Sequence, residues 1–290
     1  MKREINWNDG MHNETSTHQP IGVVLTGNGR LDANDSVRIL DYQKKHGIRF
    51  GEAAIALGLI KQQDVERALS TQFAYPYIDD TSGLSADLVL AHKPFSAEAD
   101  EIRNTRAQLI MQWNEALHPT FCVLSAERNE GRSYIAANLA LSLAQLGRKT
   151  LLIDADLRNP RQHQIFKLPN QYGLALFLAG HNSNNLICKL EMEADLSVMP
   201  AGPIPPNPLE LISHKRMDLL LQQLKQSYDC IVIDTTALAN HNDAEVMARK
   251  VGSAVTILRQ DRSRFTLAKS MVSNLKRGNV YLAGCVLNKF

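Results

Sequence analysis

Four features of this sequence could do chemistry together: one loop and three carboxylates. The loop is Ser125 to Tyr134, "SAERNEGRSY", between the apolar run "FCVL" and the helix-like run "IAANLALSLAQLG". Phosphate-binding loops follow G-x-x-x-x-G-K-[ST]. Here Ala126 holds the first Gly position and Arg132 the Lys position, while Gly131 and Ser133 fit the pattern. Such a turn aims backbone N–H groups and a helix N-terminus at phosphates. The residues placed for that task are Asn129, Glu130, Gly131, Arg132, Ser133 and Tyr134. Arg132 keeps the charge of Lys, but its planar fork is bulkier and places that charge differently.

The carboxylates are Asp154, Asp156 and Asp234, each at the end of an apolar run. A lone Asp there usually caps the next loop or helix. Three of them beside a Gly-Arg-Ser turn form a more specific set. Ser133 can ligate Mg²⁺, and Asp154 and Asp234 can hold the metal directly or through water. A metal would offset the mutual repulsion of three nearby carboxylates, which otherwise raises their pKa values.

These residues need a scaffold, and the runs supply one. "FCVLS", "TLLIDAD", "CIVIDTT" and "SAVTIL" are short, continuous and unalternated, as parallel strands covered on both faces should be, and a fifth run, "VYLAGCVLN", closes the chain. Helical stretches separate them. The predicted fold is therefore a doubly wound α/β sheet of the P-loop NTPase type. Ligands bind such sheets beyond the carboxyl ends of the strands, where the loop and the three aspartates collect.

The 290 residues are 44% hydrophobic and 21% charged, with net charge +2, so no electrostatic case for a nucleic-acid partner arises. No apolar run is long enough to span a bilayer. The first 19 residues read as a polar, disordered tail without a secretory h-region. Cys122, Cys188, Cys230 and Cys285 show no metal spacing and read as buried reduced thiols.

Before the α/β region lies a tandem repeat. "PIGVVLTGNGRLDANDSVRILDYQ" (20–43) overlays "RFGEAAIALGLIKQQDVERALSTQ" (49–72) without gaps, pairing Gly22 with Gly51, Gly29 with Gly58 and Gln43 with Gln72. Each copy reads as a short helix, a Gly turn and a second helix, making a small helical module over 20–78. The pattern resembles the N-terminal domain of type II secretion and type IV pilus ATPases. In some members two such motifs bind cyclic di-GMP, and by that resemblance Arg49, Gly51, Gly58 and Gln72 are its candidate contacts. Pro20 replaces the leading Arg in the first copy, and Ser36 replaces an apolar residue. Pro can neither stack on guanine nor pair with phosphate, which favours the alternative of a helical docking module. Residues 79–94 read as a linker and 95–290 as the α/β domain. "AEADEIRNTRAQLIMQWNEAL" reads as a helix with Ile102, Leu109 and Trp113 near one face and Arg103 and Arg106 on another.

Several motifs of the second region resemble the bacterial tyrosine kinases of the polysaccharide co-polymerase group. "TLLIDADLRNPRQHQIF" is similar to their second-strand carboxylate motif, "CIVIDTT" to their Walker B strand, and "AGPIPPNPLELI" to a segment before it. "GCVLN" is similar to their last strand. "DEIRNTR" is similar to their ring-assembly motif, with Asp100 in place of Glu beside Arg103 and Arg106. The fused repeat module matches a cytoplasmic subgroup encoded with exopolysaccharide export systems. The resemblance implies an ATP- and Mg²⁺-dependent protein-tyrosine autokinase. It implies a ring-type homo-oligomer that regulates chain length, peripheral to the inner membrane through a separate membrane-embedded chain-length-determinant partner. Arg132 would neutralise charge on the transferring group and Asp156 would act as base or second metal contact. Asn288 would touch the adenine.

Three departures qualify this. Asn129 and Arg132 stand where the loop usually has Gly and Lys, although Asn tolerates positive φ better than most residues. Thr235-Thr236-Ala237 replaces Thr-Pro-Pro. The usual tyrosine-rich tail is absent before Phe290. Two alternatives follow: a nucleotide-sensing scaffold without transfer activity, and a partition-type positioning ATPase. "DLRNP" and "PPNPLEL" argue against the latter.

Overall fold

The computed structural model describes residues 20–72, 83–112, 119–181, 185–190, 192, 194–239 and 241–289. The expected N-terminal tail, the start of the linker and Trp113 lie outside them. The chain divides into two compact units, Met1–Tyr75 and Pro76–Phe290.

The first unit holds α1 (Ile21–Gly27), α2 (Ala33–His46), α3 (Phe50–Ala56) and α4 (Gln62–Gln72). The repeat is written into its core. Buried Val24, Leu25, Leu31 and Ile39 have buried counterparts at Ala53, Ala54, Ile60 and Ala68. The two turns match as well: Gly29 and Gly58 have φ of 69° and 68°, a region that favours glycine. The second helix of each copy starts alike. Asp35 Oδ2 accepts from Asp32 N at 3.3 Å, and Asp64 Oδ2 accepts from Lys61 N at 3.0 Å. Gly51 is required by packing, since a Cβ there would stand 2.9 Å from Val65.

The second unit begins with α5 (Val89–His92) and α6 (Ala97–Gln112), followed by β1 (Thr120–Ser125), α7 (Arg132–Ala144) and β2 (Thr150–Asp154). Next come α8 (Gln162–Ile165), α9 (Leu174–Leu178), β3 (Cys188–Lys189), β4 (Leu196–Met199), α10 (Pro208–Ser213) and α11 (Lys215–Ser227). The chain continues through β5 (Cys230–Ala237), α12 (Asp243–Val251), β6 (Ser253–Arg259), α13 (Phe265–Arg277) and β7 (Tyr281–Asn288). The sheet order is β3-β4-β2-β5-β1-β6-β7, with every neighbouring pair parallel except β3 and β4. This is the expected doubly wound α/β sheet.

The central strands β1, β2 and β5 bury both faces, whereas the edge strand β7 buries only Ala283 and Asn288. In β1, Phe121 and Val123 join the core that holds α6 and α7, while Cys122 and Leu124 join the core that holds α11, α12 and α13. Helix α7 is buried almost all round, as an apolar helix wrapped by other elements must be.

Three expectations are corrected. The linker reading of 79–94 fails at its centre, because Leu88 to Ala91 are buried in the α7 core and α5 is a helix. The short runs of β3 and β4 are strands that the sequence reading passed over. The thiol reading holds for buried Cys122 and Cys230, whereas Cys188 is partly exposed and Cys285 exposed. Burial pushes the Cys122 thiol far up and the Cys230 thiol to about 11.

Candidate active site

The loop between β1 and α7 needs left-handed backbone at two places. Asn129 has φ 62° and Gly131, the residue before α7, has φ 92°. Asn and Gly are the two residue types that adopt this region most readily. The loop is braced from outside. The buried Glu130 carboxylate accepts from Glu127 N at 2.8 Å and from the Ser263 hydroxyl. Asn288 Nδ2 donates to Glu130 O at 3.1 Å, and Arg259 Nη1 to Asn129 O at 3.2 Å. Arg264 Nη2 pairs with Glu127 Oε1 at 2.7 Å. The Glu130 side chain therefore anchors the loop, leaving only its backbone to meet a ligand.

Beneath the loop lie the carboxylates. Asp154 and Asp234 are register partners on adjacent β2 and β5, and both are fully buried. Asp154 Oδ1 accepts from Asp156 N at 3.1 Å, and its Oδ2 from Arg161 N at 3.0 Å and Gln162 N at 2.9 Å. Burial and then the neighbouring Asp234 charge push its carboxyl well above the usual range, against the pull of the Gln162 N–H. Burial also raises Asp234, opposed by Arg132, the Ser133 hydroxyl and the Gln162 amide. Asp156 turns the chain after β2, accepting from Arg158 N at 3.2 Å and Asn159 N at 2.9 Å.

Arg132 is buried among these groups. Its Nε donates to Thr235 O, its Nη1 to Ser125 Oγ at 2.6 Å and its Nη2 to Asp156 Oδ2 at 3.3 Å. The Nε also stands 3.7 Å from Asp234 Oδ1. The Lys-position cation thus sits on the carboxylates, where it partly neutralises them.

A cleft of about 890 Å³ opens above, lined by Asn129, Gly131 to Ile135, Asp156, Asn288 and the cations Arg128, Arg158 and Arg259. Asp154 and Asp234 do not reach its wall. Arg158 is held by a bidentate pair to Asp243, at 2.5 and 3.2 Å. Half-buried Tyr134 has its phenol raised by burial and by the charges of Glu98 and Asp87.

The assembly candidates lie on α6. Asp100 pairs with Arg103 at 2.6 Å, and Arg103 also donates to Pro94 O. Arg106 Nη1 donates to Ser142 O at 2.9 Å and Oγ at 3.1 Å on α7, so this residue also packs inward. In the other unit, Arg49 and Gly51 open α3, Gly58 forms the following turn and Gln72 ends α4. Arg49 N donates to Glu52 Oε2 at 2.9 Å.

Sequence reasoning missed Gln162, which is fully buried and bonds to Ser133 O and Asp234 as well as Asp154. It also missed Ser125, Ser263 and Arg259. Nothing in their local patterns marks them, since their partners come from other elements.

A loop braced at the start of a buried helix, above strand-end aspartates of a parallel sheet, defines the P-loop class of nucleotide-binding folds. A cell-division ATPase MinD from Pyrococcus furiosus shares that fold, with 24% identity and TM-score 0.52 over 59% of this chain and 72% of its own. No family model matches the chain. The putative tyrosine-protein kinase CapB of Staphylococcus aureus is 34% identical over 202 residues, which cover 70% of this chain and 89% of CapB. The tyrosine-protein kinase YwqD of Bacillus subtilis is 31% identical over 71% of this chain and 87% of its own. The kinase domain of Escherichia coli tyrosine kinase ETK superposes with TM-score 0.67 and 28% identity, over 70% of this chain and 79% of that domain. The chain belongs to the bacterial tyrosine-protein kinase family. It spans only 28% of the longer Klebsiella pneumoniae relative, a putative tyrosine-protein kinase in the cps region. Among the described residues no helix is long and apolar enough to cross a membrane.

Proposed function

We propose that the chain is an ATP- and Mg²⁺-dependent protein-tyrosine kinase that regulates exopolysaccharide chain length or export with a separate membrane-embedded partner. The observation that carries this reading is the stack of the Gly131–Ser133 helix start over the Asp154–Asp234 pair, with Asp156 on the cleft wall.

The residues present fit Mg²⁺. Among the described residues, Asp234 Oδ1, Gln162 Oε1 and Thr236 Oγ1 are buried without a hydrogen-bond partner. No group of three or more His, Cys, Asp or Glu is arranged as a protein-only metal site among the described residues. Mg²⁺ keeps water and takes few protein ligands beside substrate phosphates, so it needs no such group. Ser133 would hold it, with Asp234 and Asp154 acting through water. When bound, the ion would neutralise charge developing on the phosphates.

The protein's own groups do the rest. The backbone N–H groups of Gly131 to Tyr134 meet the phosphates at the start of α7. Arg132, drawn from Asp156 toward the phosphates, frees Asp156 Oδ2 to take the proton of a tyrosine hydroxyl. Asn288 orders the loop through Glu130 O and lines the cleft, where it would touch the adenine. Asp100, Arg103 and Arg106 would join neighbouring subunits into a ring. Cyclic di-GMP at Arg49, Gly51, Gly58 and Gln72 is the weaker of the two readings of the repeat module. Docking of a protein partner is the stronger.

One observation favours a second reading, an ATP-binding scaffold without transfer. Arg132 is already bonded to Thr235 O, Ser125 and Asp156. Purified protein with Mg²⁺ and labelled ATP, with and without the cytoplasmic segment of the membrane partner, separates the two. Tyrosine label that vanishes in Asp156→Asn supports the kinase. ATP binding without label supports the scaffold, and no ATP binding sinks both.

A further inference from the structure

Gln162 sits at the first position of α8 and is fully buried. Its backbone N–H donates to Asp154 Oδ2 at 2.9 Å. Its side-chain Nε2 donates twice, to Ser133 O at 3.1 Å and to Asp234 Oδ2 at 2.8 Å. Both partners are acceptors, so the amide can only be oriented with nitrogen toward them. One residue thus ties together the loop helix, the end of β2 and the end of β5.

The other oxygens of these two groups lack hydrogen bonds. Gln162 Oε1 and Asp234 Oδ1 are buried acceptors without a hydrogen bond among the described residues. A buried acceptor left without a donor is costly, so such a pair marks a place where a donor belongs. The nearest cation does not close this gap, since Arg132 Nε bonds Thr235 O and approaches Asp234 Oδ1 only to 3.7 Å, and the Ser133 hydroxyl beside Asp234 is itself a candidate ligand of the metal. A hydrated divalent cation supplies what is missing, positive charge and water protons.

We infer that Gln162 is a positioning residue for the metal, holding Asp234 by one oxygen so that the other stays open toward the hydrated cation. The inference rests on the ATP and Mg²⁺ reading above and assigns a role within it. Outer partners of metal sites characteristically fix the orientation of the ligating groups, and losing one costs roughly 10–100-fold in metal affinity.

The test is calorimetric and needs no turnover. ATP affinity is measured in Mg²⁺ and in EDTA for wild type, Gln162→Leu and Gln162→Met, with Asp234→Asn as a positive control. The expected result is a Mg²⁺ requirement raised roughly 10–100-fold in both Gln162 variants, with ATP affinity in EDTA as in wild type. Gln162→Met keeps the length of the side chain and removes the amide donor, so it carries the test if the leucine variant does not fold. An unchanged Mg²⁺ requirement overturns the inference. So does an equal loss in Mg²⁺ and EDTA, which would make Gln162 a packing residue of the loop. Wild type that binds no ATP under either condition fails the underlying reading itself, and the inference falls with it.

Discussion

The two units of this chain bury opposite kinds of residue. The core of the repeat module is apolar apart from Ser70 and nearly duplicated, Val24 with Ala53 and Leu31 with Ile60. The core of the second unit places Asp154, Asp234, Arg132 and Gln162 at or near zero exposure beside its apolar strands. A repeated apolar core sets shape, and its positions are partly interchangeable. A buried polar cluster is held by directional bonds from several elements, and each member leaves unsatisfied partners when removed. The difference locates the chemistry in the second unit without reference to any relative.

The strongest way to break the comparison is to change the polar cluster at one atom pair. Asp156→Asn keeps shape and its acceptor for Asn159 N but loses the carboxylate proposed as base. Tyrosine labelling is expected to fall by roughly 10²–10⁴-fold, the usual share of a general base. ATP binding by calorimetry should survive. Labelling within a few fold of wild type would remove Asp156 from the chemistry.

Next comes Arg132→Ala. It strips the cation from a cluster that also contains Asp156 and Asp234. Breaking a buried pair in this way costs about 3–5 kcal/mol, which denaturant unfolding at neutral pH and without Mg²⁺ would show. A near-neutral result would mean that the aspartates shed their charge without the arginine.

The module supplies the contrasting case. Ile39 occupies the position that Ala68 fills in the second copy. Ile39→Ala should cost about 2–5 kcal/mol as a cavity, read as lost amide protection in α2. The reverse filling, Ala68→Ile, should cost about 1–3 kcal/mol by overpacking. If either is silent, the two copies are more interchangeable than their packing implies.

These cases also show what could be read in advance. The five long strands were legible because runs such as Cys230 to Thr236 have no polar alternation. The loop and its aspartates were legible because each follows such a run. The repeat was legible because its glycines recur with the same left-handed turn. Leu88 to Ala91 looked like linker because four residues carry no helical period, and only contact with α7 makes them core. The four-residue β4 gave too short a run to separate from a loop. Gln162, Ser263 and Arg259 act on residues far along the chain, so no local pattern could reveal them. Arg106 reads in sequence only as part of the assembly motif, and the position of Ser142 shows that it also packs inward.

The smallest expected effect lies on the loop's exposed rim. Glu127 pairs with Arg264, whose hydrogen bond and charge hold the carboxyl below its ordinary value. A lowered carboxyl pKa means that the unfolded chain binds the proton more readily. The pair's contribution is therefore present above the ordinary carboxyl range and is lost as pH falls through the lowered value. Exposed pairs contribute little and are screened by salt. Arg264→Ala should return the Glu127 titration, followed by carboxyl NMR, to the ordinary range. Its thermal stability should differ slightly from wild type at neutral pH and low salt, and not at acid pH or high salt. The loop should keep its shape in this variant, because the buried Glu130 still accepts from Glu127 N and Ser263. If Arg264→Ala instead abolished ATP binding, the rim would be as essential as the buried cluster. The contrast between a replaceable surface and an irreplaceable polar core would then fail within the site itself.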